Sequence, residues 1–306
     1  MKVLFAAPAH YWQLWALHLR ASCPEMELAR EGDPAGFDAL IYAPGYPEGG
    51  QALDFRPFTR ARLVQSLWAG VERIVANSTL TQPLCRMVDP GLAEGMADYC
   101  TGWALRAHLG MDHYAQDGVW RHDQTPPLAR DRNVVVLGMG ELGRAVATAL
   151  AGLGFRVTGW SQSGRPHPGI EVLAGPALPK VLARAEILVS LLPDTTGTRD
   201  LLNAARLALL PRGATIINAG RGTLIDEAAL IAALDQGQVG HAVLDVFRTE
   251  PLPPEHPFWA HPGITVTPHV AAETRPATAS PVVAENLRRA MRGAPLLHVV
   301  DRARGY

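Results

Sequence analysis

Three short apolar runs, VLFAAP, FDALIYAP and LVQSLW, punctuate the first part of the chain, each with turn-forming or small residues close behind it. Runs of that length read as buried strands. Between the first two, HYWQLWALHLRA spaces its apolar residues as a helix does. Strand, helix and strand in that order predict an α/β layout around a small parallel sheet.

From Met96 to Gln116 the chain runs without proline, and a connecting helix is expected there. HDQTPPLARDRN, polar and proline-containing, follows as a loop. A second alternation then begins. NVVVLG, RVTGW, EILVSLLP, ATIINA, HAVLDVF and ITVTP read as strands, and ELGRAVATALAGLG, ALPKVLARA and DEAALIAALDQG between them as helices. Strands separated by such helices predict a doubly wound parallel sheet with right-handed crossovers. The amphipathic SPVVAENLRRAMRG near the C-terminus is expected to pack back on the first domain. One domain is therefore expected over residues 1–96 and 280–306, with the other, 97–279, inserted into it.

Composition narrows the partners more than the fold. Of 306 residues, 48% are apolar and 19% charged, which allows sizeable cores and excludes a disordered chain. A formal net charge of −1 provides no basic field for nucleic acid or an acidic membrane, so a small-molecule partner is expected. Cys23, Cys85 and Cys100 lie far apart with no CxxC, and their odd number argues for a reducing, cytoplasmic compartment. The opening MKVLFAAPAHYWQLW is broken by polar and aromatic residues after Pro8 and reads as a first strand rather than a secretion signal. No apolar run reaches the roughly 18 residues of a membrane span, and Asn77-Ser78-Thr79 reads as a chance sequon. Cysteine and histidine spacings suggest no metal site.

Gly138-Met139-Gly140-Glu141-Leu142-Gly143 matches GxGxxG directly after VVVL and at the head of a helix. In that context the first glycine allows a tight turn, the second admits a pyrophosphate and the third lets helix pack on strand. The helix N-terminus stabilises the anion. NAD-binding sheets end their second strand with an acid that bonds the ribose 2′-hydroxyl. Here Gly159-Trp160 is followed by Ser161, Gln162, Ser163, Gly164 and Arg165, and the nearest later acid is Glu171. Two hydroxyls and a cation suit a 2′-phosphate that a carboxylate would repel. NADP(H) is favoured and NAD(H) stays possible. A solvated loop is the competing reading for Arg165, and more so for His167.

Ligands of open parallel sheets sit beyond the carboxyl ends of the strands. Past ATIINA comes Arg221 between two glycines, past HAVLDVF comes Glu250, and past ITVTP comes His269. Hydride transfer to a carbonyl needs a proton donor for the developing alkoxide, and histidine suits it near neutral pH. A carboxylate beside it favours the imidazolium and fixes the ring. An arginine can clamp a substrate carboxylate and polarise the adjacent carbonyl. The flanking glycines suit close backbone approach to a ligand. His256 and His261 are read as structural or exposed.

These residues resemble the D-isomer-specific 2-hydroxyacid dehydrogenase family across nearly the whole chain, through VVVLGMGELG, LLPDTTGT, INAGRGTLIDEAAL, ALDVFRTEPLP and TPHVAA in order. Within the family, SLWAGVE, GWSQS and the ending VDRARGY are most similar to bacterial glyoxylate/hydroxypyruvate reductases of the A type. The resemblance implies a Rossmann domain inserted into a smaller flavodoxin-like substrate domain. It implies an oxidoreductase that reduces small 2-oxoacids, with Arg221 binding the substrate carboxylate, His269 as general acid/base and Glu250 as its partner. Asp245 would contact the nicotinamide amide, Leu192 and Pro193 would flank the adenosine side, and Asn218 and Ala219 would line the cofactor groove. Ala69, Gly70 and Val71 match a loop whose N–H groups hold the carboxylate. Gln162 stands where arginine is frequent, which shifts the phosphate to Arg165; Trp68 replaces a small residue and either narrows the pocket or packs under the loop. The relatives' dimerisation through the Met96–Gln116 helix and nearby Trp120 implies a homodimer; an interdomain helix that stays within one chain is the competing reading. An NAD-linked dehydrogenase of a larger substrate and a non-catalytic dinucleotide sensor are the alternatives.

Overall fold

A computed structural model describes residues 1–48, 51–114, 118–120, 122 and 125–305. It divides into two compact units, Met1–Leu92 with Thr274–Tyr306, and Ala93–Glu273. In chain order the first unit holds β1 (Lys2–Ala6), α1 (Ala9–Ser22), β2 (Glu27–Ala29), β3 (Ala39–Tyr42), β4 (Val64–Ser66), α2 (Glu72–Val75) and β5 (Leu84–Cys85). Helix α3 (Pro90–Leu109) carries the chain into the second unit. That unit holds β6 (Asn133–Leu137), α4 (Glu141–Gly152), β7 (Arg156–Ser161), β8 (Glu171–Ala174), α5 (Leu178–Leu182), β9 (Ile187–Ser190), α6 (Ala204–Leu207), β10 (Ala214–Asn218), α7 (Glu227–Asp235), β11 (Val239–Leu244) and β12 (Ile264–Val266). The chain then returns through α8 (Pro276–Arg292).

Among the described residues the first unit's sheet has the order β2-β1-β3-β4-β5 and the second unit's β12-β11-β10-β9-β6-β7-β8. All their ladders are parallel. The first order is that of flavodoxin-like sheets. The second is the doubly wound Rossmann order with a strand added beyond β11, and it reverses between β6 and β9. Both sheets are buried on both faces, as parallel sheets require. Alternate residues of β6 show this: Val135 and Leu137 join a core with α5 and α7, while Val134 and Val136 face α3 and α4. In the first unit Val3, Phe5 and Ile41 meet α1 and α8, and Leu4, Ala6 and Leu40 face Phe37, Phe55 and Phe58.

Three local expectations change. The helix expected over Met96–Gln116 begins at Pro90, because the Asp89 carboxylate accepts the Gly91 and Leu92 N–H groups at 3.0 and 3.1 Å and proline occupies the first position. It ends at Leu109, where Gly110 turns left-handed at φ 61°; Gln116 lies outside the described residues. The last helix starts at Pro276 rather than Ser280, again with proline at its first position. The stretch after WSQS, where no strand is expected, contains the short strand β8 paired to β7. No helix among the described residues is long and apolar enough to cross a membrane.

A buried polar link ties α8 to the first sheet. Asn286 Nδ2 donates to Gln65 Oε1 at 2.8 Å and to Leu297 O at 3.0 Å, and Asn286 Oδ1 accepts the Leu297 N–H at 2.8 Å. Both side chains are fully buried. Asn286→Leu strands these groups at about 1–3 kcal/mol each where water cannot replace the lost partner. The variant is expected to lose about 3 kcal/mol or more of stability, read from the midpoint and slope of urea unfolding.

Candidate active site

The second sheet's order reverses beside the turn that follows β6, and the three glycines of that turn have three different surroundings. Gly138 is left-handed at φ 102°, and a Cβ there would come within 2.8 Å of Leu191 O. A Cβ on Gly143 would meet Gly138 O at 1.7 Å, so α4 rests directly on the turn. Gly140 has nothing within 4 Å of its Cβ position. No side chain caps α4 at Gly140. Glu141 is exposed in its first turn and Leu142 half-buried. The first-turn N–H groups of a helix have no intrahelical partner, and here they adjoin open space, which fits a dinucleotide pyrophosphate.

At the end of β7, Ser161 Oγ accepts the Gly164 N–H at 3.1 Å and keeps its own proton to donate. Ser163 and Arg165 are exposed. Gln162 is exposed as well, yet its amide lies against Gly175, whose Cβ position is 3.0 Å from Gln162 Oε1. His167 contacts Thr148 of α4 through Nε2 at 3.0 Å, an anchoring role. Glu171 pairs in register with Thr158, whereas Ser161 pairs with Ala174. At ~3.3 Å per residue that puts the acid about 10 Å below the rim. There it takes hydrogen bonds from Arg184 Nη1 at 3.1 Å and Thr158 Oγ1 at 3.4 Å. The residues at the rim therefore fit a 2′-phosphate rather than a bare 2′-hydroxyl.

Arg221, Glu250 and His269 follow β10, β11 and β12 at the carboxyl edge of the same sheet. His269 Nδ1 meets Glu250 Oε2 at 2.8 Å. An ionised carboxylate only accepts, so Nδ1 carries the proton and Nε2 is the nitrogen left for a substrate. The Glu250 hydrogen bond holds the His269 imidazole above its ordinary pKa; burial opposes this, the Glu250 and Asp245 charges add to it, and Arg221 subtracts. Burial works against an ionised Glu250, but hydrogen bonds from His269 and from the Phe247 N–H (2.9 Å), with the His269 and Arg221 charges, hold its carboxyl below the usual range. Both shifts favour the ion pair. His269 is 54% exposed at its side chain.

The fold itself requires the glycines that flank Arg221. A Cβ on Gly220 would come within 2.9 Å of Leu192 O, and one on Gly222 within 2.0 Å of the Phe247 carbonyl carbon. The close approach is to the protein's own neighbouring loops. Arg221 Nη1 donates to Gly220 O at 2.7 Å, and Asn218 fastens the turn by donating to Arg221 O at 3.0 Å and accepting the Gly220 N–H at 3.2 Å.

Asp245, 1% exposed, accepts Thr267 Oγ1 at 2.6 Å and the Val270 and Ala271 N–H groups at 2.9 Å each. Its carboxylate holds the His269 loop within the protein. Tyr99 Oη lies 2.7 Å from Thr267 Oγ1. With the Thr267 proton committed to Asp245, Tyr99 is the donor of that bond. No pattern in the sequence signals Tyr99. Leu192 and Ala219 are buried, and Pro193 is half-buried, its carbonyl accepting Thr198 Oγ1 at 2.6 Å. His256 and His261 are structural: their Nδ1 atoms accept the Phe258 and Gly263 N–H groups at 3.3 and 3.0 Å.

In the first unit, Trp68 packs on the core beneath α1 and donates Nε1–H to Tyr11 Oη at 3.2 Å. Ala69 and Gly70 are half-buried, while the Val71 side chain is in the core, so only backbone is offered there. Burial pushes the Cys85 and Cys100 thiols up to about 12, which leaves neither as a nucleophile near neutral pH. Among the described residues no group of His, Cys, Asp or Glu could hold a metal ion.

Residues 103–271 match the family model of the D-isomer specific 2-hydroxyacid dehydrogenase NAD binding domain. The whole chain is similar to a D-isomer specific 2-hydroxyacid dehydrogenase of Xanthobacter autotrophicus solved with NADPH and MES, at 40% identity and a TM-score of 0.92, covering 100% of this chain and 99% of that one. An NADPH-dependent glyoxylate/hydroxypyruvate reductase of Sinorhizobium meliloti, solved with NADP and sulfate, is 35% identical with the same coverage and a TM-score of 0.87. A probable 2-hydroxyacid dehydrogenase of Rhizobium etli, solved with NADP, HEPES and tartaric acid, is 28% identical over the same shares, with a TM-score of 0.88.

The open position at Gly140 and the closed one at Gly143 separate ligand space from packing space. Gly140→Ala is expected to leave the melting temperature unchanged and weaken NADPH binding at least ~10-fold, since its methyl occupies the space left for the pyrophosphate. Gly143→Ala is expected to destabilise by about 1–3 kcal/mol through overpacking. Calorimetric titration and thermal melts of the two variants check the contrast.

Proposed function

The chain belongs to the D-isomer specific 2-hydroxyacid dehydrogenases, and from that membership we propose that it reduces small 2-oxoacids, glyoxylate and hydroxypyruvate first, with NADPH preferred over NADH. The observation that carries the reading is the 2.8 Å pair of His269 and Glu250 on the sheet edge that also bears Arg221. The Sinorhizobium reductase supports the choice of substrates. The NADPH and NADP in related structures, and a β7 rim without an acid, support the choice of cofactor.

Bound NADPH would supply the hydride that reaches the carbonyl carbon. Gly140 and the α4 N-terminus are assigned the pyrophosphate, and Ser161, Ser163 and Arg165 the 2′-phosphate; Gln162, turned against Gly175, lies beside it. Leu192, Pro193, Asn218 and Ala219 are assigned to the groove walls, and Asp245 to the amide end. The Arg221 guanidinium pairs with the substrate carboxylate and draws electron density from the adjacent carbonyl. His269 gives its Nε2 proton to the oxygen as negative charge develops there. Glu250 keeps the imidazolium populated and its ring oriented. A homodimer is included in the reading; Trp120, 93% exposed, is the apolar surface such an assembly would cover.

Steady-state rates with glyoxylate and hydroxypyruvate, each with NADPH and NADH, test the proposal, and no turnover across a panel of 2-oxoacids refutes it. His269→Ala is expected to lower kcat/KM by about 10²–10⁴-fold while NADPH affinity holds. Reduction needs the protonated ring, so kcat/KM falls as pH rises through a His269 pKa held above its ordinary value. In Glu250→Gln the largest cause of that elevation is gone, and the fall is expected at lower pH. Arg165→Ala is expected to weaken NADPH by roughly 10–150-fold, the equivalent of a charge-assisted contact, with NADH unaffected. Equal losses for both cofactors would remove Arg165 from the phosphate site.

A further inference from the structure

Arg248 belongs to the loop that carries Glu250, yet its side chain reaches the turn that carries Arg221. Its Nη2 donates to Ile225 O at 2.7 Å, and the same nitrogen pairs with Asp200 Oδ1. Its Nε lies 4.0 Å from Glu227 Oε1, and Glu227 Oε2 is in turn 3.5 Å from His256 Nε2. Ile225 closes the turn that opens at Arg221. Asp200 is bound to that turn independently: it adopts a left-handed φ of 49°, and its N–H donates to Thr223 O at 2.9 Å. Two residues further on, the Leu202 N–H donates to Leu224 O at 2.9 Å. One guanidinium thus joins three segments, two of which bear residues assigned to the reaction.

The two loops also touch at their backbones, since Gly222 leaves no room for a Cβ against Phe247. Phe247 in turn donates its N–H to Glu250 Oε1 at 2.9 Å. Any shift of residues 247–248 relative to the Arg221 turn therefore reaches Glu250 through that bond. As a stabilising ion pair the contact is weak: the Arg248 and Asp200 side chains are 36% and 51% exposed, where a pair contributes about 0–1 kcal/mol. As a geometric tie it has more leverage, because a ~1 Å misplacement of reacting groups can cost about 10²-fold in rate.

We propose that Arg248 is a positioning residue that fixes the Arg221 turn and the Glu250 loop against each other, and so sets the carboxylate clamp and the His269–Glu250 pair together. The proposal rests on the assignment of Arg221, Glu250 and His269 made above.

The test compares Arg248→Met, Arg248→Lys and Asp200→Asn with the parent and with His269→Ala. Arg248→Met is expected to lower kcat/KM by about 10–100-fold, to raise KM for the oxoacid and to move the high-pH fall of kcat/KM to lower pH. NADPH affinity should stay within about twofold, because none of the assigned phosphate-binding groups is touched. Arg248→Lys keeps a cation that can donate to Asp200 and to the Ile225 carbonyl but loses the Nε beside Glu227 and the planar fork, and should fall between the parent and Arg248→Met. Asp200→Asn keeps a side chain of the same shape and should show the same changes, smaller; it decides the matter if Arg248→Met does not fold. Arg248→Met or Asp200→Asn with parental KM and pH profile, whatever its melting temperature, overturns the proposal. Full activity in His269→Ala overturns the catalytic assignment and this inference with it, whereas an inactive His269→Ala beside an unaltered Arg248→Met sinks the inference alone.

Discussion

Asp245 accepts three hydrogen bonds from the segment Thr267–Ala271, and the candidate catalytic edge depends on that constraint. Burying a carboxylate is costly unless its lone pairs are occupied, and here a hydroxyl and two backbone N–H groups occupy three of its roughly four acceptor positions. The same bonds wrap the segment around the strand end and leave His269 at a left-handed φ of 54°, a conformation a non-glycine residue holds only when its surroundings dictate it. With the backbone so placed, the imidazole meets Glu250 through Nδ1 and turns Nε2 outward. The side chain assigned the proton transfer is thus oriented by one that is itself satisfied by the loop it holds.

The other two loops are held by contact rather than charge. Gly220 and Gly222 press the Arg221 turn against the Leu192 and Phe247 backbones. In the sequence, glycine on both sides of an arginine suggests room for a ligand, whereas in the fold those positions are filled by protein. The distinction is physical. Composition reports that a Cβ is excluded, and only coordinates report what excludes it. At Gly140 nothing excludes it, so of the glycines on this rim it is the one whose open side faces no protein atom within reach.

What was legible follows from the range of the interactions involved. Strand and helix order, the glycine turn and the three strand-end residues are local patterns, and periodicity with strand-end position was enough to place Arg221, Glu250 and His269 on one sheet edge. Boundaries set by capping were legible but unread: Asp89-Pro90 and Pro276 are start signals that an apolar-periodicity reading passes over. Tyr99 and Arg248 were not legible at all. Tyr99 reaches Thr267 across 168 positions and Arg248 reaches Asp200 across 48, and neither stands in a local pattern that distinguishes it from an ordinary helix or loop residue.

Cofactor choice shows how a missed element can still leave a reading intact. In the sequence no acid follows Trp160 closely, and Glu171 is the nearest later one. The structure makes the same residue near in space, since β8 folds back beside β7. Distance along the chain therefore does not exclude Glu171 from the ribose; strand register does. Parallel pairing places Glu171 beside Thr158, at the end of β7 away from the rim, and Arg184 occupies its carboxylate there. A parallel partner that rises with β7 can present at the rim only residues late in its own strand, here Ala174. An acid at that late position, opposite Ser161, would repel a 2′-phosphate, whereas alanine leaves the rim to Ser161, Ser163 and Arg165.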